Sequence, residues 1–152
     1  MRNRACIAGF PGDTCDRGRD RRCGAPKMFS HAYAMDSLSI LDPEALARID
    51  RFGGETMLAQ LLAIFERDTP GRIEAARVAL RDGELAVLAD TAHSLKSSAG
   101  NLGASALFSV ARQLEADARA GRTDPLPQHL LSLEACYREA VIALKSELER
   151  RI

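Results

Sequence analysis

The segment Ala92-His93-Ser94-Leu95-Lys96-Ser97-Ser98-Ala99-Gly100-Asn101-Leu102-Gly103-Ala104 concentrates the chemistry of this chain. His93 and Lys96 stand one helical turn apart. A neutral imidazole keeps one nitrogen lone pair and is a good nucleophile near neutral pH. An ammonium one turn away favours a dianionic phosphoryl group on that ring, and Ser97 and Ser98 add hydroxyl donors. The helical neighbours of His93 at i−4, i+3, i+4 and i+7 are Ala89, Lys96, Ser97 and Gly100, none of them bulky and apolar. The surface around the ring is therefore expected to be low, so that a convex partner can bring an acidic group to it. A solvated helix face without chemistry would carry the same residue types, and spacing alone leaves both readings open.

The element that must position His93 reads as an amphipathic helix from Glu84 to Leu102. Leu85, Leu88, Ala92, Leu95, Ala99 and Leu102 recur at three- and four-residue steps, and His93 lies beside that stripe. Upstream, Asp42 before Pro43 predicts a capped helix start, and Gly53-Gly54 a stop. A second helix is predicted from Glu55 to Arg81, with Met57, Leu61, Phe65, Ile73, Ala76 and Leu80 inward and a kink or register shift at Pro70-Gly71. A helix from Ala104 to Ala120 turns Leu107, Val110, Ala111, Leu114 and Ala118 inward. A last helix opens at Pro125, capped by Thr123 or Asp124, with Leu130, Leu133, Tyr137, Ala140 or Val141, Leu144 and Leu148 as its stripe. The fold class is all-α: four long helices with short connections predict an antiparallel up-down-up-down four-helix bundle, with a short additional N-terminal helix over one end.

Composition sets the outer bounds. Twenty-one Lys/Arg balance twenty-one Asp/Glu over 152 residues, a length suited to one domain. The balance is uneven. Residues 1–34 hold seven basic against three acidic residues, and the remainder holds fourteen against eighteen. A basic, disordered tail is thus expected on a mildly acidic domain spanning 35–152, and Met35 is a candidate for the true translation start. No apolar run reaches the roughly 18 residues of a membrane span, and no secretory leader is recognisable. Cys6, Cys15, Cys23 and Cys136 form no C-x-x-C pair. No metal site is expected, and free thiols in a cytoplasmic setting are. Nucleic-acid and membrane partners are not expected.

The segment at His93 resembles the signature of histidine-containing phosphotransfer domains, His-x-Leu-Lys-Gly-x-(Ser/Ala)-x-x-(Leu/Val)-Gly, matched at His93, Leu95, Lys96, Ala99, Leu102 and Gly103. Ser97 departs from the family's glycine but is still small. The resemblance runs from about Leu41 to Leu148. It takes in the turn Ile64 to Pro70, the Ala79 to Gly83 connection and the Leu114-Glu115 pair. It implies that His93 is the phosphorylated residue, that Lys96 supports the phosphoryl charge, and that Glu115 bonds the unreacting ring nitrogen. Arg112, one turn before Glu115, would point to the same side. A solvated helix face is the competing reading for both Glu115 and Arg112.

The implied activity is phosphorelay: a receiver aspartyl phosphate donates to His93, which passes the group to another receiver aspartate. Partners would be response-regulator receiver domains and a hybrid histidine kinase. The chain would need no cofactor of its own, with Mg²⁺ on the receiver, and would act as a monomer. It has no glycine-rich phosphate loop, and Ser94 follows His93 where the dimerisation helices of sensor kinases carry Glu or Asp. It is therefore expected to be a phosphocarrier and not a kinase. A helical adaptor that binds a signalling partner without phosphotransfer would look similar in sequence.

Overall fold

Helix α1 (Pro43–Phe52) begins as its residues dictate. The Asp42 carboxylate accepts from the Glu44 N–H at 2.9 Å, Pro43 occupies the first turn, and Glu44 and Arg51 complement the helix dipole at its two ends. This computed structural model describes residues 40–152. The expected basic tail, the Met35 start and three of the four cysteines lie outside the described residues.

The long helices are α2 (Gly54–Asp82), α3 (Leu85–Leu102), α4 (Ser105–Arg119) and α5 (Leu126–Arg151). Helix α3 packs on α2 and α4, and α5 closes the ring against α4 and α2. The antiparallel four-helix bundle expected from the apolar periodicity is thus the observed architecture. No strand occurs among the described residues beyond an isolated bridge between Leu41 and Ala104.

The core follows the periodic stripes on α3 and α4, except that Leu85 is only half-buried. Leu88, Ala92, Leu95, Ala99 and Leu102 meet Leu107, Val110, Ala111, Leu114 and Ala118, all buried. On α5, Leu126, Leu130, Leu133, Ala140 and Leu144 are buried, and Tyr137, Val141 and Leu148 flank them. Helix α2 differs from expectation. Leu58, Leu62, Phe65, Ile73, Ala76 and Ala79 are buried, whereas Met57, Leu61 and Leu80 are only half-buried. The helix faces α1, α3 and α5 together, so its apolar arc is wide and those three residues form its edges.

A register shift at Pro70-Gly71 and a Thr123 or Asp124 cap on α5 are both corrected. Helix α2 runs continuously through Pro70, which is exposed, and its buried positions keep three- and four-residue steps across it without a register shift. Neither Thr123 nor Asp124 caps α5; the cap position is Pro125, with no side-chain bond. The turn before α5 is held by Asp117 instead. Its carboxylate accepts from Arg122 Nε at 2.7 Å and pairs with His129 Nε2 at 2.8 Å.

Helix α1 packs on α2 and α3 at the end where α3 passes into α4. The Asp42 N–H donates to the Gly103 carbonyl at 2.7 Å, and the Ser105 N–H donates to Ile40 at 3.2 Å. Gly103 ends α3 with φ of 74°, the left-handed region in which a side chain is strained. A β-carbon there would also lie 2.7 Å from that of Ala45. Glycine at the end of the His93 segment is therefore required twice over, by backbone conformation and by the close approach of α1. No helix among the described residues is long and apolar enough to cross a membrane.

Candidate functional site

His93 lies midway along α3, on a solvent-facing strip between the buried stripe and the neighbouring helices; its side chain is 54% exposed. One face of α4 turns toward it. The stripe that buries Ala111, Leu114 and Ala118 carries Glu115 inward with it, leaving its side chain 5% exposed. A carboxylate taken that far from water must be paired to remain charged. Glu115 is paired three times. Its Oε2 accepts from Lys96 Nζ at 2.5 Å, and its Oε1 lies 3.0 Å from His93 Nδ1 and 2.8 Å from Arg119 Nη1.

These contacts decide the electrostatics of the site. The hydrogen bond from Lys96 is the largest influence on Glu115 and holds its carboxyl below the usual carboxylate range. Burial opposes this, and the bond from His93 and the charges of Lys96 and Arg119 reinforce it. An ionised carboxylate is an acceptor only. The hydrogen between Oε1 and the ring therefore belongs to Nδ1, and in the neutral imidazole the lone pair is left on Nε2.

His93, Lys96 and Glu115 are brought together; the other residues singled out from the sequence are placed otherwise. The Ser97 hydroxyl donates back to the His93 carbonyl at 3.0 Å. Ser98 is one further 100° step round α3 and faces α2, where its hydroxyl donates to the Ser94 carbonyl and accepts from Arg72 Nη1 at 2.6 Å. It is not beside the ring. Ala89 is buried, not part of an open surface, because its position turns toward α4 and it packs in the core. Gly100 is half-buried, and a β-carbon there would touch the Phe108 ring at 3.4 Å, so its smallness serves the approach of α3 to α4.

Arg112 is exposed, and the arginine on Glu115 is Arg119. Helical side chains lean toward the N-terminus. Arg119 therefore leans back onto Glu115, whereas Arg112 leans away from it. The i,i+4 Glu-to-Arg spacing was the sequence signal that could have found this residue.

A second histidine–carboxylate pair, His129 with Asp117, sits at the other edge of α4, with both side chains only 15% exposed. Burial pushes the Asp117 carboxyl up, but the bonds from His129 and Arg122 outweigh it and leave the group below its ordinary value. No group of three or more potential metal ligands occurs among the described residues.

Comparison with known proteins adds independent findings. Residues 60–150 match the Hpt domain family. Among solved structures, the chain is similar to the histidine-containing phosphotransfer protein B (HptB) of Pseudomonas aeruginosa PAO1, with a TM-score of 0.68 and 30% identity over 75% of this chain and 98% of that one. The fold is also that of the histidine-containing phosphotransfer domain of ArcB from Escherichia coli, with a TM-score of 0.68 and 20% identity over 74% of this chain and 96% of that one. No curated relative matches the sequence.

Proposed function

Because the chain belongs to the Hpt domain family, whose members are phosphocarriers in phosphorelays, we propose that it accepts a phosphoryl group from a receiver-domain aspartate onto His93 and passes it to the aspartate of another receiver. The observation that carries this reading is the 3.0 Å contact between His93 Nδ1 and the buried Glu115. It fixes the tautomer and presents Nε2 as the nucleophile, as carboxylate partners do for metal-bound histidines.

The step balances simply. The Nε2 lone pair forms the N–P bond as the P–O bond to the receiver aspartate breaks, and the carboxylate leaves with the electron pair. The ring, still holding its Nδ1 proton, becomes cationic while facing Glu115. Onward transfer is the reverse reaction with a second carboxylate. Both phosphorylated species are high in energy, so flow can run either way. Such transfers depend chiefly on positioning and charge stabilisation. On this reading the receiver supplies Mg²⁺, and this chain supplies the ring, Lys96 and Glu115. A hybrid histidine kinase is the upstream source, and the chain works as a cytoplasmic monomer.

The test is incubation with a ³²P-labelled phosphorylated receiver, comparing wild type with His93→Gln. Acid-labile, base-stable label on the wild type alone is expected. No transfer from any of several receivers, with the helical circular dichroism intact, would replace this reading with that of a binding adaptor.

A further inference from the structure

Glu115 gathers more positive charge than its own neutralisation requires. Lys96 bonds Oε2, while His93 Nδ1 and Arg119 Nη1 share Oε1. Two permanent cations thus face one buried anion, and with a neutral ring the site holds one net positive charge. A dianionic phosphoryl group on Nε2, with the ring then cationic, brings the site to neutrality. Without Arg119 the empty site would be neutral and the phosphorylated one would carry a net negative charge. Arg119 also competes for Oε1, the oxygen that accepts from Nδ1–H, so its position bears on how strongly that oxygen pulls on the ring. Its own side chain is 58% exposed, which makes the electrostatic effect sensitive to salt.

We propose that Arg119 is a positioning residue for phosphoryl transfer: acting through the shared Oε1 of Glu115 and through its charge, it sets how much of the phosphoryl group rests on His93 and how much returns to the receiver. This inference rests on the phosphotransfer reading. It distinguishes Arg119 from an ordinary surface i,i+4 ion pair, which would contribute little to stability and nothing to the chemistry.

The experiment measures the equilibrium distribution of label between a phosphorylated receiver and the full chain, for wild type, Arg119→Ala and Arg119→Lys, at low and high salt. Arg119→Ala is expected to lower the phosphohistidine-to-phosphoaspartate ratio about threefold to tenfold, the size expected for one charge acting on a dianion across several ångströms of screened solvent. Arg119→Lys should restore most of the ratio, and the difference between Arg119→Ala and wild type should shrink at high salt. An unchanged ratio in Arg119→Ala, with wild type taking label, overturns the inference and leaves the phosphotransfer reading standing. Equal losses in Arg119→Ala and Arg119→Lys also overturn it, because they assign the effect to shape and not to charge. If neither wild type nor variants take label, the phosphotransfer reading fails and the inference with it.

Discussion

Lys96 places its ammonium 2.5 Å from Oε2 of Glu115, nineteen residues away on the next helix. The lysine is only 24% exposed and is tied to the carboxylate; it does not stand free in solvent beside the ring. It therefore serves the site in two ways, keeping Glu115 ionised and holding a positive charge one turn from His93.

Removing that charge should affect the chemistry more than the docking of a receiver. Lys96→Ala is expected to slow phosphoryl acceptance about tenfold, equivalent to ~1.4 kcal/mol of barrier, and Lys96→Arg should recover part of the loss. Single-turnover transfer from a labelled receiver reads the rate, and receiver binding measured separately should change much less.

Glu115 gives the fold a pH dependence of known sign. Its folded pKa lies below its ordinary value, mainly through the Lys96 hydrogen bond. Its ionised form therefore stabilises the protein at pH values above the unfolded carboxylate pKa of about 4.3, and this contribution is lost as pH falls through the lower folded value. Asp117 is depressed too and acts in the same direction. Glu115→Gln should cost about 1–3 kcal/mol at pH 7, since it leaves charged donors without their anion. Urea denaturation at pH 7 and at successively lower pH should show the gap between wild type and Glu115→Gln closing.

Gly103 and Gly121 have nearly the same backbone, with φ of 74° and 70°, but different surroundings. A β-carbon at Gly121 meets nothing within 4 Å, whereas one at Gly103 meets Ala45 and the Asp42 carbonyl. Gly121→Ala should cost about 1–2 kcal/mol from conformation alone. Gly103→Ala should cost about 1–3 kcal/mol more through overpacking, seen as a clearly lower Tm. Equal melting temperatures for the two variants would contradict the close packing of α1 on the α3–α4 turn.

The core should answer to burial and not to residue type. Leu95→Ala, in a fully buried position on the helix that carries His93, should destabilise by about 2–5 kcal/mol. Leu131→Ala, at a site 62% exposed, should stay within about 0.5 kcal/mol of wild type. Chemical denaturation of both variants checks the contrast.

The helices, their order and the inward stripes of α3 and α4 were legible because leucines at helical spacing can face only one way in a bundle. The Asp42-Pro43 start was legible for an equally local reason. Alanine carries no such direction. Ala89 could sit on either side of the stripe, and only packing against α4 buries it. Ser97 and Ser98 are adjacent in sequence but 100° apart on the helix, which sends Ser98 to Arg72 on α2. The tilt of helical side chains toward the N-terminus separates Arg119 from Arg112, and simple turn-counting omits it. The burial of Glu115 follows the stripe of α4, but the partners that keep it charged there could not all be read from its own segment, since Lys96 and His93 stand on α3.

Only Gly103 and Ala104 separate the helix that bears His93 from the helix that bears Glu115. The ring and its carboxylate are thus two arms of one helical hairpin, joined by a loop at the short end of those that proteins use. Contacts of such low sequence separation are the kind that favour fast folding, and the His93–Glu115 pair is built within one contiguous segment of the polypeptide. Helix α5, which packs on α4 and α2, contributes no side chain to the pair. Its outward surface lies apart from that contact, so substitutions confined to it leave the His93–Glu115 pairing itself in place.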